Sequence, residues 1–221
     1  MAAPEIERSL EVKIAIIGAG NVGGTLGQRF AQLGHRVVFG VKDSGDPKLA
    51  DLLRSCGPNA SAASVGGAAD RCETIVLAVP WQAVTDALQA AGNLSGKLLL
   101  DCTNPLKADL SGLEIGLTSS AGEKVAELAP GARVVKIFNT TGYNNMANPR
   151  YGSNGATMFY CGDDAAAKSE AAELATQLGF EPIDAGPLAH ARLLEPAAML
   201  WIWLAIFGGQ GPNVAFHLDK R

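Results

Sequence analysis

A short apolar run, Val12 to Ile17, is followed at once by Gly18-Ala19-Gly20-Asn21-Val22-Gly23. With Ile14, Ile16 and Ile17 in it, the run reads as a strand buried on both faces. A helix is expected from Asn21 to about Leu33, with Val22, Leu26, Phe30 and Leu33 at helical spacing and Gly23, Gly27 and Ala31 forming a second stripe of small residues. Gly34 would stop it. Among 26 glycines a GxGxxG spacing alone says little. Its place between a strand and a helix start gives it meaning. There Gly18 permits a tight turn, Gly20 removes a side chain where a pyrophosphate would approach, and Gly23 lets the helix lie against the strand. The exposed N–H groups and the dipole of the helix start favour an anion.

The rest of the chain repeats this rhythm. Strands are expected at Arg36–Val41, weakly at Ala60–Ala63, and at Thr74–Val79, Lys97–Leu100, Arg133–Phe138, Thr157–Cys161 and Phe180–Asp184. Helices fall between them. One opens at Asp46-Pro47, a good cap and first-turn pair, and shows Leu49, Leu52, Leu53 and Cys56 on one face. Others carry Trp81, Val84, Leu88 and Ala91, or Ala167, Ala171, Leu174 and Leu178 behind a cap at Asp163 or Asp164. An irregular segment is expected over Thr103–Ser119, then a helix to about Leu128, and a helix-rich end over Ala189–Phe207. Alternating strands and helices imply a doubly wound α/β domain with a parallel sheet covered on both faces. One domain over 1–221 accounts for the chain, with a core at 1–184 and a short helical extension at 185–221.

Charge and cysteine usage exclude several classes. Eighteen Lys and Arg against 22 Asp and Glu, without a basic run, argue against nucleic acid. Cys56, Cys72, Cys102 and Cys161 form no CxxC pair and have no clustered His, so neither a metal site nor a disulfide framework is expected. The stretch Met1 to Val12 lacks the apolar core of a secretory signal. The most apolar run, Ala197 to Phe207, has eleven residues, whereas spanning a bilayer takes about 20. A cytoplasmic protein without a membrane segment is the expectation.

NAD-preferring sites place an acid at the end of strand two, on the ribose hydroxyl. Here the strand ends Phe39-Gly40-Val41-Lys42-Asp43-Ser44. Lys42 suits the 2′-phosphate of NADP, or is an ordinary solvated charge; one register shift would bring Asp43 into play. Three strand ends face the expected crevice: Val79-Pro80-Trp81, Asp101-Cys102-Thr103-Asn104-Pro105 and Phe138-Asn139-Thr140-Thr141-Gly142. Pro80 and Pro105 fix the chain where it turns. Asn104, Asn139 and Thr140 offer neutral donors and acceptors, with Asn104 equally readable as a simple Asx turn. His35 falls at the opposite edge and His217 in the tail, leaving His190 as the one histidine that could approach. Tyr143 and Lys136 are possible proton donors, Lys136 in mid-strand. No residue is assigned a catalytic role. The scarcity of acid–base groups favours hydride exchange between two rings, which depends on positioning, over reduction of a carbonyl, which needs a proton donor as well.

Several segments together carry a resemblance: Ile16-Ile17-Gly18-Ala19-Gly20-Asn21-Val22-Gly23, Leu77-Ala78-Val79-Pro80-Trp81, Val134-Val135-Lys136-Ile137-Phe138-Asn139-Thr140, Cys161-Gly162-Asp163-Asp164, Asp184-Ala185-Gly186-Pro187-Leu188 and Ala191-Arg192-Leu193-Leu194-Glu195. The chain resembles the NADPH:deazaflavin oxidoreductase family and is similar to the cytosolic oxidoreductase domain of the six-transmembrane metalloreductases. The resemblance implies NADPH on the glycine turn, a deazaflavin or flavin ring stacked near Asn139-Thr140 and the C-terminal helices, and a homodimer. It leaves the apolar Met199–Phe207 run, with Trp201 and Trp203, as a dimer-facing or a core helix. Where the deazaflavin enzymes carry Ser-Arg after strand two and a His later, this chain has Val41-Lys42 and Asn139; the Asn-Thr pair is more like the flavin-using metalloreductase domain. The alternatives are an NADPH-dependent reductase of a small carbonyl or imine, disfavoured by the fewer than 40 residues after Asp184, and a non-catalytic NADPH-binding module.

Overall fold

The apolar runs do form strands. In the computed structural model, which describes residues 11–43, 45–219 and 221, eight of them make one sheet. The reading of the N-terminal stretch falls mainly on residues 1–10, which with Ser44 lie outside the described residues. The chain runs β1 (Lys13–Ile17), α1 (Asn21–Gln32), β2 (Arg36–Val41), α2 (Pro47–Cys56), β3 (Ala60–Ser64), α3 (Val65–Asp70), β4 (Thr74–Leu77), α4 (Val84–Ala91), β5 (Leu98–Asp101), α5 (Ala121–Leu128) and β6 (Arg133–Lys136). Then come α6 (Tyr143–Ala147), a small hairpin of β7 (Arg150–Tyr151) and β8 (Asn154–Gly155), β9 (Thr157–Gly162), α7 (Ala165–Leu178), β10 (Glu181–Asp184) and α8 (Ala191–Ile202), which continues into a π-helical turn at Trp203–Phe207.

The sheet order is β10-β9-β6-β5-β4-β1-β2-β3. From β6 to β3 every neighbour is parallel, with β1 registered on β2 at Lys13 and Arg36 and on β4 at Ile14 and Thr74. The expectation of a wholly parallel sheet is corrected at one seam: β6 and β9 pair antiparallel, Val135 opposite Gly162. A parallel return needs a crossover over the sheet face. Instead, α6 and the β7–β8 hairpin occupy the connection, and the chain re-enters from the edge at which β6 leaves.

Alternation along β1 sorts its side chains into two cores. Ile14 and Ile16 pack with Leu26, Phe30, Phe39 and Leu174 on one face; Ala15 and Ile17 pack with Ala68, Leu77, Val84 and Val125 on the other. Fully burying a Phe or Ile contributes about 1.5–3 kcal/mol, so this two-sided packing is the main source of stability. The packed face of α1 is the small-residue stripe, Gly23, Gly27 and Ala31, together with Leu26 and Phe30. A Cβ on Gly27 would sit 2.4 Å from the Phe39 ring. Leu33, expected on that face, is instead the exposed cap residue.

Caps follow the sequence in several places. Asp46 accepts from the Lys48 N–H and Asp164, rather than Asp163, accepts from the Ala167 N–H. Helix α3 has no signal in the sequence, where its Gly66-Gly67 pair is a poor helix former. Burial of Val65, Ala68 and Ala69 and the Ser64 cap on the Gly67 N–H hold it. Among the described residues no helix is long and apolar enough to cross a membrane.

Candidate functional site

Two of the three motif glycines are required by the fold, and one is not. Gly18 has φ +101°, and a Cβ there would meet the Ala78 carbonyl oxygen at 2.5 Å. A Cβ on Gly23 would lie 1.9 Å from the Gly18 oxygen. At Gly20 a Cβ would meet nothing within 4 Å, and the φ of −74° suits any residue. Gly20 is the N-cap of α1 with no side-chain capping bond, and the first helical bond runs from the Gly24 N–H to the Gly20 carbonyl. The N–H groups ahead of it have no intrahelical partner and point out of the helix start. Bare backbone there leaves room and donors for an anion.

Two clefts meet over this turn at the carboxyl edge of the parallel strands. One, about 520 Å³, is bounded by Gly18, Val41, Lys42, Asp43, Lys48 and Val65. The other, about 430 Å³, is bounded by Asn21, Val22, Pro80, Trp81, Thr103 and Asn104 and by the loop around Lys107 and Leu110. Both share Gly20 and Val79. The structure therefore brings together Gly18, Gly20, Asn21, Val22, Lys42, Val79, Pro80, Trp81 and Asn104 along one crevice. Gly23 lies buried beneath the turn.

Asn139 and Thr140 are placed differently from the expectation of direct exposure to a ligand. They are 3% and 1% exposed and line neither cleft. Asn139 sits behind Asn104: its Nδ2 donates to Asn104 Oδ1 at 3.0 Å, and Asn104 Nδ2 donates back to the Asn139 carbonyl at 2.9 Å. Asn139 Oδ1 and Thr140 Oγ1 are buried without a hydrogen-bond partner. The backbone reaches this arrangement through Phe138, which adopts φ +61° and donates its N–H to Met158 Sδ. A left-handed aromatic residue costs of order 1–3 kcal/mol. It also ends β6 two residues earlier than the apolar run suggested.

At the end of strand two, Lys42 is joined by Lys48, which the sequence reading missed. Asp43 lies in the same cleft and turns Oδ1 to the Gly45 N–H at 2.8 Å.

Beneath the second cleft lies a buried ionic cluster. Lys136 Nζ is 2.7 Å from Asp101 Oδ2, an ion pair rather than a well-aligned hydrogen bond, and 3.0 Å from Glu195 Oε1. It donates to the Thr103 carbonyl at 2.7 Å. Glu195 accepts the N–H groups of Ala121 and Gly122, each at 3.0 Å, and so caps α5 from α8. Burial pushes the Lys136 ammonium down, but the two carboxylates outweigh it and hold the group above its ordinary value. Lys136 is thus a locked cation with no exposed surface, and the expectation of a proton donor to the crevice is corrected. Tyr143 is 44% exposed and lines neither cleft. Asp101 and Lys136 are register partners across β5 and β6, the last residue of each strand; opposite charges set among the apolar residues of two neighbouring strands are the signal that could have paired them. Nothing local announces Glu195.

The remaining groups offer little acid–base chemistry. Burial pushes the Cys102 thiol far up, with the Asp101 charge adding to the shift, and raises Cys161 to about 12. His35 is buried, with Nε2 against Gln177 Oε1 at 2.7 Å. His190 turns back to the Ala185 carbonyl and lines neither cleft. Among the described residues no three His, Cys, Asp or Glu side chains gather as a metal site.

This geometry has known counterparts. Residues 13–105 match the family described as NADP oxidoreductase, coenzyme F420-dependent. A crystal structure of a protein assigned as an F420-dependent NADP reductase from Arthrobacter sp. FB24 superposes with a TM-score of 0.86; it is 33% identical, over 95% of this chain and 100% of that one. The F420-dependent NADP reductase of Methanothermobacter thermautotrophicus is 28% identical over 88% of this chain and 90% of that protein. Metalloreductase STEAP3 of Rattus norvegicus is 33% identical over 86% of this chain, a match that spans 38% of the metalloreductase's own length.

Proposed function

The chain belongs to the family of coenzyme F420-dependent NADP oxidoreductases and is an NADP-dependent oxidoreductase; on that premise we propose that it passes hydride between NADP(H) and the ring of a deazaflavin or flavin. The observation that carries this choice of acceptor is the lining of the second cleft. Its ionisable groups are Cys102, a thiol held protonated by burial, and Lys107 on the loop. A carbonyl reductase needs a placed proton donor; ring-to-ring hydride transfer needs two surfaces held parallel and close.

Each residue then has a task. The N–H groups around Gly20, Asn21 and Val22 hold the pyrophosphate, and Lys42 with Lys48 attracts the 2′-phosphate. Val79, Pro80 and Trp81 form one apolar wall of the nicotinamide end, and Asn104 the polar wall opposite. Asn139, through its two bonds to Asn104, sets that wall from behind, without lining the crevice itself. NADPH supplies the hydride, and the proton that completes a reduced deazaflavin or flavin comes from water at the open cleft. We infer too that residues 1–221 work as one domain, since Glu195 of the extension reaches into the core, and that two copies pair through exposed Leu200, Trp203, Ile206 and Phe207.

The test is NADPH oxidation followed with deazaflavin, FMN, FAD and a panel of carbonyls and imines. Rapid turnover with a deazaflavin or flavin is expected. Turnover confined to a carbonyl or imine would overturn the reading.

A further inference from the structure

Thr103 borders the second cleft with 3% of its surface exposed, yet every conventional donor it has is spent below. Its N–H and its hydroxyl both donate to Asp101 Oδ1, at 2.9 and 2.7 Å. Its carbonyl accepts from Lys136 Nζ. Asp101 Oδ2 lies 2.7 Å from the Lys136 ammonium, and Glu195 Oε1 lies 3.0 Å from the same nitrogen. All three charged side chains are at most 1% exposed, so the arrangement cannot swing away to water. A hydroxyl has one proton and two lone pairs. With its proton committed to a buried carboxylate, the Thr103 oxygen can meet a ligand only as an acceptor.

We propose that Thr103 is a binding residue that accepts a hydrogen bond from an N–H donor of the ligand, an uncharged primary amide, and that Asp101, Lys136 and Glu195 are the positioning residues that fix it in that state. Resting on the reading that NADP(H) lies in this crevice, the proposal identifies the amide as the nicotinamide carboxamide. The same geometry rejects a carboxylate in that place, because two acceptors would face each other with the Asp101 charge behind them.

The experiment is calorimetric binding, without turnover, to the parent protein and to Thr103→Val and Thr103→Ser. The probes are NADP+, its acetylpyridine analogue (amide nitrogen replaced by methyl), its nicotinic acid analogue (amide replaced by carboxylate) and 2′,5′-ADP, which reaches only the phosphate end. The parent should bind NADP+ roughly 3- to 10-fold more tightly than the acetylpyridine analogue, as for one neutral hydrogen bond, and should bind the nicotinic acid analogue more weakly still. Thr103→Val should bring the ratio of NADP+ to the acetylpyridine analogue close to one and leave 2′,5′-ADP unchanged, while Thr103→Ser keeps the discrimination. An unchanged ratio in Thr103→Val, or a parent that does not discriminate, overturns the proposal alone. Failure of the parent to bind 2′,5′-ADP or NADP+ at all overturns the crevice reading with it. If Thr103→Val does not fold, the parent's ranking of the three dinucleotides and the behaviour of Thr103→Ser decide.

Discussion

Replacing Gly20 by Ser separates what the fold needs from what a ligand needs. The backbone there has φ −74° and ψ −165°, which serine adopts freely, and the new Cβ meets no atom within 4 Å. Serine is among the best N-cap residues and would supply the side-chain cap that α1 lacks. Relative to glycine the cap stabilises by a few tenths of a kcal/mol, which for a chain of this length moves Tm by about 1 °C upward. The effect on binding is opposite. The cap consumes an N–H at the helix start, and the side chain fills the space over it. Losing one charge-assisted hydrogen bond costs about 1.5–3 kcal/mol, so NADPH should bind roughly 10- to 150-fold more weakly. Thermal unfolding and calorimetric titration with NADPH read the two quantities separately. Gly23→Ala is the contrast: its Cβ falls 1.9 Å from the Gly18 oxygen, so that variant should lose the fold itself. A Gly20→Ser protein that binds NADPH like the parent would refute the anion-cradle reasoning, and one that fails to fold would refute the claim that no protein contact requires this glycine.

Other outcomes follow from the same structure. The parent should bind NADPH at least about tenfold more tightly than NADH, a difference of about 1.4 kcal/mol; Lys42→Asp should narrow that gap, and equal parent affinities would count against Lys42 and Lys48. Lys136→Met leaves two buried carboxylates uncompensated and should cost about 3–5 kcal/mol, lowering Tm by roughly 6–20 °C; a shift under about 2 °C would contradict the ionic cluster. The Arg192 guanidinium, bonded to Glu123 at 2.9 Å, holds that carboxyl below its ordinary value of 4.5. Stability from the pair is present above the unfolded-state value and lost as pH falls through the lowered one, so urea midpoints of the parent and Arg192→Met should differ at pH 7 and converge below about pH 4. All four cysteines are buried; iodoacetamide at mildly alkaline pH should leave them unmodified in the native protein and label each one in denaturant.

Where steric rules act over a few residues, the chain could be read directly. Gly18 and Gly23 bring backbone and helix together at distances that no side chain tolerates, so a strand, turn and helix follow from the order of residues alone. The ends of β2, the Asp46 cap and the buried faces of α2 and α7 are local in the same way. Other features depend on partners far along the chain. The reversal at β9 comes from how residues 139–156 fill the carboxyl edge, and no periodicity in β9 encodes its direction. Lys136 looks like a possible proton donor until Asp101 and Glu195, 35 and 59 residues away by sequence number, close around it. Asn139 looks like a ligand contact until Asn104 stands in front of it. The sequence by itself determined the glycine turn, the helix start proposed to cradle an anion, and the sheet that presents them, because backbone sterics and the two-residue alternation of a strand are short-range. The tertiary structure decided which polar groups face the crevice and in what state, because burial and charge pairing are set by neighbours that only folding assembles.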